Sequence, residues 1–157
     1  MMSVKKEASK EFNNNRTLLS SISDGTIEAR IEDSLKWYIL EAVKAKFYFY
    51  LFSAVTVVAP ICSAILMNLP LPDTYIKIIS GVFAGLTSAS ASVLHMFNFK
   101  KNWELYRAQA EEIKFILAEN LAYPRGDQKI LYRIEKSMQA AEKSWEDTID
   151  QTEHDEE

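Results

Sequence analysis

Two long runs without charge interrupt an otherwise amphipathic chain. No charged residue occurs between Lys46 and Asp73, and none between Lys77 and Lys100. A helix needs roughly 20 apolar residues to cross a bilayer core about 30 Å thick, and both runs reach that length. The pattern therefore predicts two membrane spans, at about residues 47–69 and 78–99.

The link between the two runs, LPLPDTYIK, is short and contains Pro70 and Pro72, which stop a helix. Two helices joined in this way are antiparallel neighbours. The alternative is a hairpin buried in a soluble core, but a chain of 157 residues leaves little apolar sequence to cover two such helices. The first run begins near residue 47, which is too late for a signal peptide.

Amphipathic helices are predicted on both sides of the spans. A helix start at Asp24–Thr26 leads into an apolar stripe with helical spacing, made of Ile27, Ile31, Leu35, Tyr38 and Ala42. This stripe continues into the first span, so one helix is expected from about residue 26 to about residue 68. Pro60 lies within it and should kink the helix or free a carbonyl.

The residues after the second span form two more apolar stripes. The first contains Trp103, Tyr106, Ala110, Ile113 and Leu117, and the sequence Tyr123-Pro124 with Gly126 ends it. A final helix is expected from about Asp127 to about Asp150. Its apolar positions, three or four residues apart as in a coiled-coil or bundle seam, are Ile130 or Leu131, Ile134, Met138, Ala141, Trp145 and Ile149.

Lysine and arginine indicate the orientation. Eight precede the first span, nine follow the second, and Lys77 alone lies in the turn. Because positive residues remain on the cytoplasmic side, both termini are expected in the cytoplasm of an integral inner (cytoplasmic) membrane protein. The aromatic residues near the expected interfaces are Trp37, Tyr38, Tyr48, Tyr50, Tyr75, Trp103 and Tyr106.

The second span carries small and polar residues on one helical stripe. Its members, which we call the small-polar stripe, are Gly81, Gly85, Ser88, Ser92 and His95. Gly81 and Gly85 form a GxxxG pair, which allows close helix packing. One interpretation is packing against the first span of the same chain. The other is a symmetric oligomer in which the stripe lines a central pathway. His95 would then titrate near its cytoplasmic mouth, or else be an interfacial side chain bonded to nearby backbone.

Catalytic and metal-binding patterns do not occur in the sequence. There is no GxxxxGK[ST], GxSxG or HExxH, and no potassium-filter sequence such as TVGYG. The single cysteine, Cys62, is expected to be a buried thiol, and two distant histidines do not make a metal site. The formal net charge is -4, and no large basic patch indicates nucleic acid. We expect no enzyme activity, cofactor, metal or nucleic-acid partner.

Two segments resemble a known superfamily. They are WYILEAVKAKFYFYLFSAVTVVAPICSAI and FNFKKNWELYRAQAEEIKFILAENLAYP. Together they resemble SLATT domains, the two-transmembrane domains associated with SMODS and SLOG proteins, and most closely a branch filed as a domain of unknown function. The shared run has Asn102, Trp103, Tyr106, Arg107, Ala110, Glu111, Ile113 and Lys114, and ends at Tyr123 and Pro124.

The resemblance implies a membrane effector of nucleotide-signalled bacterial defence that acts by making pores. Because no sensor or nucleotide synthase is fused to this sequence, it also implies a trigger from a separate protein or nucleotide. Independently of the resemblance, Arg107 is four residues from both Trp103 and Glu111, which allows stacking and ion pairing. We expect this run to pack on the first helix through Ile31, Leu35 and Tyr38.

The predicted fold is an all-α membrane protein. A two-transmembrane antiparallel helical hairpin has long helices that extend into a cytoplasmic helical bundle, and the chain forms a symmetric oligomer in the lipid bilayer. The predicted segments are a mobile N-terminal segment (1–25), the two-transmembrane SLATT-like domain (26–124), an amphipathic helix (125–150) and an acidic tail (151–157). The expected function is an oligomeric pore or ion channel. The alternative is a membrane-anchored scaffold whose cytoplasmic helices self-assemble or dock a partner.

Overall fold

The structure is a computed structural model that describes residues 2–68 and 72–154, with side chains except those of residues 2, 73 and 144–154. No strand occurs in these ranges. The elements are α1 (Met2–Asn15), a 3₁₀ helix (Arg16–Ser21), α2 (Gly25–Leu66), α3 (Asp73–Phe97), α4 (Phe99–Ala122) and α5 (Asp127–His154). The long first helix predicted for about 26–68 is therefore confirmed as α2, and the predicted start of the last helix is confirmed at Asp127.

The chain divides into two compact units. The first, here the bundle unit, contains Met1–Val43 and Trp103–Glu157, and the second, here the apolar unit, contains Lys44–Asn102. The boundaries fall within α2 and near the beginning of α4. The division follows composition, since the apolar unit holds both uncharged runs and the bundle unit holds the amphipathic stripes.

Apolar stripes from four helices meet in the core of the bundle unit. In α2 and α4 the spacing of three or four residues places each stripe on one helix face, which can then be buried against its neighbours. Burial of each large aliphatic side chain contributes on the order of 1.5–3 kcal/mol before chain entropy is counted. The most completely buried side chains are Leu19, Ile31, Leu35, Ile39, Ile113, Leu117 and Ile134.

The N-terminal segment that was predicted to be mobile contains a helix. Residues 2–15 form α1, and Val4, Ala8 and Phe12 are buried in the bundle core. These three residues are four apart, so a helix brings them onto one face. This face packs against the apolar core of the bundle unit.

Two aspartates organise the beginnings of α2 and α5. Asp24 caps α2, because its Oδ1 accepts hydrogen bonds from the backbone N–H of Thr26 at 2.8 Å and of Ile27 at 3.4 Å. Asp127, in the first turn of α5, accepts from the backbone N–H groups of Ser23 at 2.9 Å and Asp24 at 2.7 Å. The predicted helix start at Asp24–Thr26 is confirmed, and the aspartates connect it to the beginning of α5.

The chain turns sharply between α4 and α5. α4 ends at Ala122, in agreement with the predicted break at Tyr123-Pro124. Gly126 has a φ of 88°, a left-handed conformation that disfavours any side chain. α5 then continues to His154, further than the predicted end near Asp150 and into the predicted acidic tail.

The apolar seam of α5 faces the core of its own chain. Ile130 and Ile134 are each 2% exposed and Ala141 is 8% exposed, while Met138 and Leu131 pack against the same core. The remaining seam positions, Trp145 and Ile149, lie outside the described side chains. Over the described part, the seam residues are therefore buried within the single chain and are not exposed to a partner.

α3 and α4 are separated by one residue, a break that the sequence pattern did not predict. Asn98 has φ 42° and ψ 41°, the left-handed region that asparagine tolerates better than most residues. The Asn102 side chain donates to the backbone carbonyl of Phe97 at 2.9 Å, and the Asn102 N–H donates to the Asn98 carbonyl at 3.1 Å. Asn102 thus supplies donors to two carbonyls at the break.

Candidate functional site

The two apolar segments are exposed within the single chain. In the described residues, Gly25–Leu66 and Thr74–Ala122 each contain an 18-residue window apolar enough to cross a membrane, and only 6% of each window is buried. A core helix of a soluble protein would be mostly covered by its own chain. The exposed apolar surface is compatible with a membrane protein and does not fit the alternative of a soluble hairpin buried in a larger core.

The side chains of α3 that are sheltered lie on one face. These positions are three or four residues apart, and Ser90 is the most buried of them, at 6% exposure. At about 100° per residue they share one side of the helix. They include Ser80, Phe83, Thr87, Ser90 and Leu94. On α2 the corresponding sheltered residues include Phe52, Thr56 and Ala59.

The small-polar stripe lies on the opposite side of α3 from this sheltered face. Gly81, Gly85, Ser88, Ser92 and His95 are all exposed. A Cβ atom built on Gly81 or Gly85 would meet no atom within 4 Å in the described chain. At these glycines the structure of the single chain therefore shows no close contact with the first span, and the stripe is available to lipid, to water or to another copy.

Several hydroxyl groups in the apolar unit bond to their own helix. Thr56 and Thr87 donate to the carbonyls of Phe52 and Phe83, each at 2.9 Å. Ser92 donates to the carbonyl of Ser88 at 3.0 Å. Such bonds, one turn back, allow a hydroxyl to lie in an apolar medium. In the described part of the chain, the buried Oγ of Ser80 has no hydrogen-bond partner.

Pro60 and Cys62 lie in the apolar part of α2. The helix continues through Pro60, whose side chain is exposed. Cys62 is a half-buried free thiol. Among the described residues no cluster of histidine, cysteine and carboxylate side chains could hold a metal ion.

Aromatic rings gather where α3 gives way to α4. The ring of Phe99 lies 5.5 Å from that of Phe97 and 5.9 Å from that of Phe52, both stacked, and 5.7 Å from the ring of Tyr48. Because Tyr48 and Phe52 belong to α2, the chain returns along α3 to the level at which α2 entered the apolar unit. This is the arrangement expected of a hairpin.

In the bundle unit, the shared run on α4 packs against α2 as predicted. Tyr106 lies edge-on to Trp37 at 5.6 Å and is 6.4 Å from Tyr38. One turn further, Ala110 and Ile113 are fully buried in the core that contains Ile31 and Leu35. Trp103 is half-buried at the start of this run. The aromatic and aliphatic members of the run are thus packing residues of the α2–α4 contact.

The charged members of the run form a network with α1. Arg107 contacts Glu111 at 2.8 Å, which confirms the predicted pair, and also contacts Glu11 at 2.6 Å. Lys114, whose side chain is 10% exposed, contacts Glu11 at 2.8 Å and Glu111 at 3.1 Å. Glu11 is therefore shared by two cations of α4.

The network and the aromatic cluster shift the ionisation of their members. Burial raises the pKa of Glu11, but the hydrogen bonds and positive charges of Lys114 and Arg107 outweigh it, so the pKa lies below its ordinary value. Burial raises the pKa of Tyr106, and the Glu41 carboxylate adds to this rise. Burial, followed by the Glu142 carboxylate, likewise raises the pKa of Tyr38. Both tyrosines are therefore neutral hydrogen-bonding groups at neutral pH.

A second network closes the bundle unit near the α4–α5 turn. Glu119 contacts Arg125 at 2.5 Å and Arg133 at 2.7 Å. The hydrogen bond from Arg133 lowers the pKa of Glu119, with help from the charge of Arg125 and against the effect of burial. The buried Asn120 donates to the Ser21 carbonyl at 3.3 Å and accepts from the Arg125 backbone N–H at 2.9 Å.

Sequence reasoning missed Glu11, Asn98 and Phe99. Glu11 was missed because the segment around it was expected to be mobile, although Val4, Ala8 and Phe12 at spacings of four gave the signal of a packed helix. Asn98 and Phe99 lie at the end of the predicted second span, where the apolar pattern gives no indication that one helix stops and another begins.

Comparison with known families identifies the central part of the chain. Residues 33–118 match a family model described as "Protein of unknown function (DUF4231)". This range includes both uncharged runs and most of the shared run. No curated protein and no solved structure matches the chain.

Proposed function

This chain belongs to the DUF4231 family, and from that premise we propose that it is an oligomeric membrane pore or ion channel. In this proposal the small-polar stripe of α3 lines the pathway. The proposal also places both termini in the cytoplasm and the protein in the inner membrane. From the resemblance to SLATT domains, we further propose that it is a bacterial defence effector with a separate protein or nucleotide trigger.

The observation that carries the proposal is the exposure of the stripe. Gly81 and Gly85 have no neighbour within 4 Å of an added Cβ, and Ser88, Ser92 and His95 are exposed. Lipid offers these residues no hydrogen bond and no packing advantage, whereas a second helix can approach closely over glycine. Assembly of several copies would cover the stripe, and the hydroxyls would tolerate water in a central pathway.

Single-channel recording tests the proposal most directly. Purified protein is reconstituted in a planar lipid bilayer, with Ser88→Leu as the stripe variant and Leu86→Phe as the matched control. Leu86 is an exposed apolar residue on the flank of the same helix, two residues away. We expect discrete currents from the wild type, currents reduced or abolished by Ser88→Leu, and currents unchanged by Leu86→Phe.

The oligomeric state decides how a recording without channel currents is interpreted. Light scattering in gentle detergent and in lipid nanodiscs gives the number of copies for the same samples. A monomer in both media contradicts the proposal. An oligomer whose currents are equally insensitive to both substitutions shows that the stripe does not line the pathway.

The scaffold alternative has less support, since its motivating surface lies inside the fold. Ile130, Ile134 and Ala141 of the α5 seam are buried in the core of the same chain, so this part of the seam is not exposed for a partner. Truncation after Pro124 would remove part of the core rather than a docking surface. Charge substitutions on the exposed face of α5, such as Lys136→Glu, test the scaffold function without disturbing the core.

A further inference from the structure

We propose that the helix break at Phe97–Asn102, together with the beginning of the apolar part of α2, forms a binding surface for the phosphate headgroup of anionic phospholipids. The proposal rests on the membrane location proposed above, and goes beyond it by assigning a lipid class to a particular surface. We call this surface the basic corner. Its members are Lys44, Tyr48, Phe97, Phe99, Lys100 and Lys101.

Charge in the apolar unit is segregated. The unit carries five lysines and a single acidic residue, Asp73, which begins α3. Four of the lysines lie at the opposite end of the two helices, in the segments 44–46 and 100–101. Asp73 and Phe97 are the first and last residues of α3, so about 36 Å of helix separates them. These four lysines therefore lie at the end of the unit away from its one acidic residue.

Ring contacts bring lysines from two helices to one place. Tyr48 follows Lys44 by one helical turn on α2, and its ring lies 5.7 Å from the ring of Phe99. Lys100 and Lys101 come directly after Phe99 in the chain. The contact between Tyr48 and Phe99 thus places the two basic segments at the same end of the apolar unit.

The corner is held in a fixed conformation. Phe99 is stacked on both Phe52 and Phe97, at 5.9 Å and 5.5 Å. The left-handed Asn98 and the hydrogen bond from the Asn102 side chain to the Phe97 carbonyl define the direction in which α4 begins. Because the backbone at this break is already fixed, Lys100 and Lys101 lose little backbone entropy when they bind a ligand.

The exposed side chains favour a lipid over a soluble anion. Beside the lysines, Met96 is 76% exposed, Phe97 53% and Tyr48 40%. Exposed apolar side chains next to ammonium groups suit a ligand that has both an acyl chain and a phosphate. Lys44, Lys46 and Lys100 also interact within the protein, but an ammonium has three N–H donors, so a phosphate oxygen can accept a further hydrogen bond.

A titration of the full chain in uncharged detergent tests the proposal. Thermal-shift curves are recorded with dioctanoyl phosphatidylglycerol, with dioctanoyl phosphatidylcholine and with inorganic phosphate. We expect phosphatidylglycerol alone to raise the melting temperature in a saturable manner. The double substitution Lys100→Gln and Lys101→Gln should weaken that binding about fivefold for each lysine, from about 1 kcal/mol per cation near a membrane surface.

Lys77→Gln is the matched control, because Lys77 is the exposed lysine near the other end of α3. It should leave the affinity for phosphatidylglycerol unchanged, and the double substitution to arginine should retain it. Equal shifts with the two lipids overturn the proposal, as does an unaffected glutamine variant. An equal shift with inorganic phosphate would show a free-anion site instead. If the protein is monomeric and still selects phosphatidylglycerol, the pore proposal fails and the basic corner stands.

Discussion

The ammonium of Lys114 donates a hydrogen bond to the carboxylate of Glu11 across 2.8 Å, and so joins α4 to α1. Only 10% of the Lys114 side chain is exposed. A buried ammonium is stable only when its charge is compensated. Glu11 therefore adds a specific polar contact between α1 and α4 to the apolar contacts of Val4, Ala8 and Phe12. The first helix is part of the folded bundle unit because both kinds of contact coincide.

Replacing Glu11 by glutamine should destabilise the bundle unit. The substitution leaves Lys114 with Glu111 as its remaining anion, and we expect a loss of about 1–3 kcal/mol in unfolding free energy. Thermal denaturation of the detergent-solubilised protein measures the loss. Glu112→Gln on α4, the helix of Lys114, is the control, since Glu112 is exposed, and it should change stability by no more than about 0.5 kcal/mol. Equal stability of the two variants would show that the Glu11–Lys114 contact contributes nothing.

The same contact should make stability depend on pH. Because the pKa of Glu11 is lowered by folding, its contribution is fully present above the ordinary glutamate pKa of about 4.3. It is lost as pH falls through the lower pKa of the folded state. The stability difference between the wild type and Glu11→Gln should therefore be constant from pH 7 to about pH 5 and shrink below it. A difference that grows towards acid pH would contradict the assigned direction.

Much of the fold could be predicted from the sequence, because long periodic segments carry a strong signal. The continuous stripe from Ile27 into the first span predicted α2, and the two uncharged runs predicted the exposed apolar helices. α1 was harder, since its apolar face has only three members among many polar residues. The break at Asn98 could not be predicted, because it depends on a left-handed residue inside an uninterrupted apolar pattern.

The residues of the candidate site could be predicted from the sequence, but the side chains that they contact could not. Helical spacing placed Gly81, Gly85 and Ser88 on one stripe. It could not decide whether that stripe or the face containing Ser90 would pack inside the chain, because both faces contain small and hydroxyl-bearing residues. The choice depends on how the side chains of α2 and α3 fit together, which is a tertiary property.

Gly126 should be the glycine that least tolerates a side chain. Its φ of 88° is strained for alanine, so Gly126→Ala should cost about 1–2 kcal/mol. No atom lies within 4 Å of the added Cβ, so the cost comes from the backbone alone. Gly25→Ala is the control, because Gly25 has equally open space without a left-handed φ, and it should be neutral or stabilise by up to about 1 kcal/mol. Thermal denaturation distinguishes the two, and equal effects would contradict the assigned conformation.

Leucine substitutions at two positions of α3, Gly85 and Ser90, should distinguish effects on oligomer assembly from effects on folding. A Cβ at Gly85 meets no atom within 4 Å in the chain, so Gly85→Leu should leave the melting temperature unchanged in a detergent that dissociates the protein into monomers. Ser90 is 6% exposed, so Ser90→Leu should overpack the apolar unit and cost about 1–3 kcal/mol. If the small-polar stripe contacts other copies, Gly85→Leu should reduce the oligomer measured by light scattering in nanodiscs, because the leucine separates the helix backbones. An oligomer that persists in Gly85→Leu with wild-type stability would show that the stripe faces lipid.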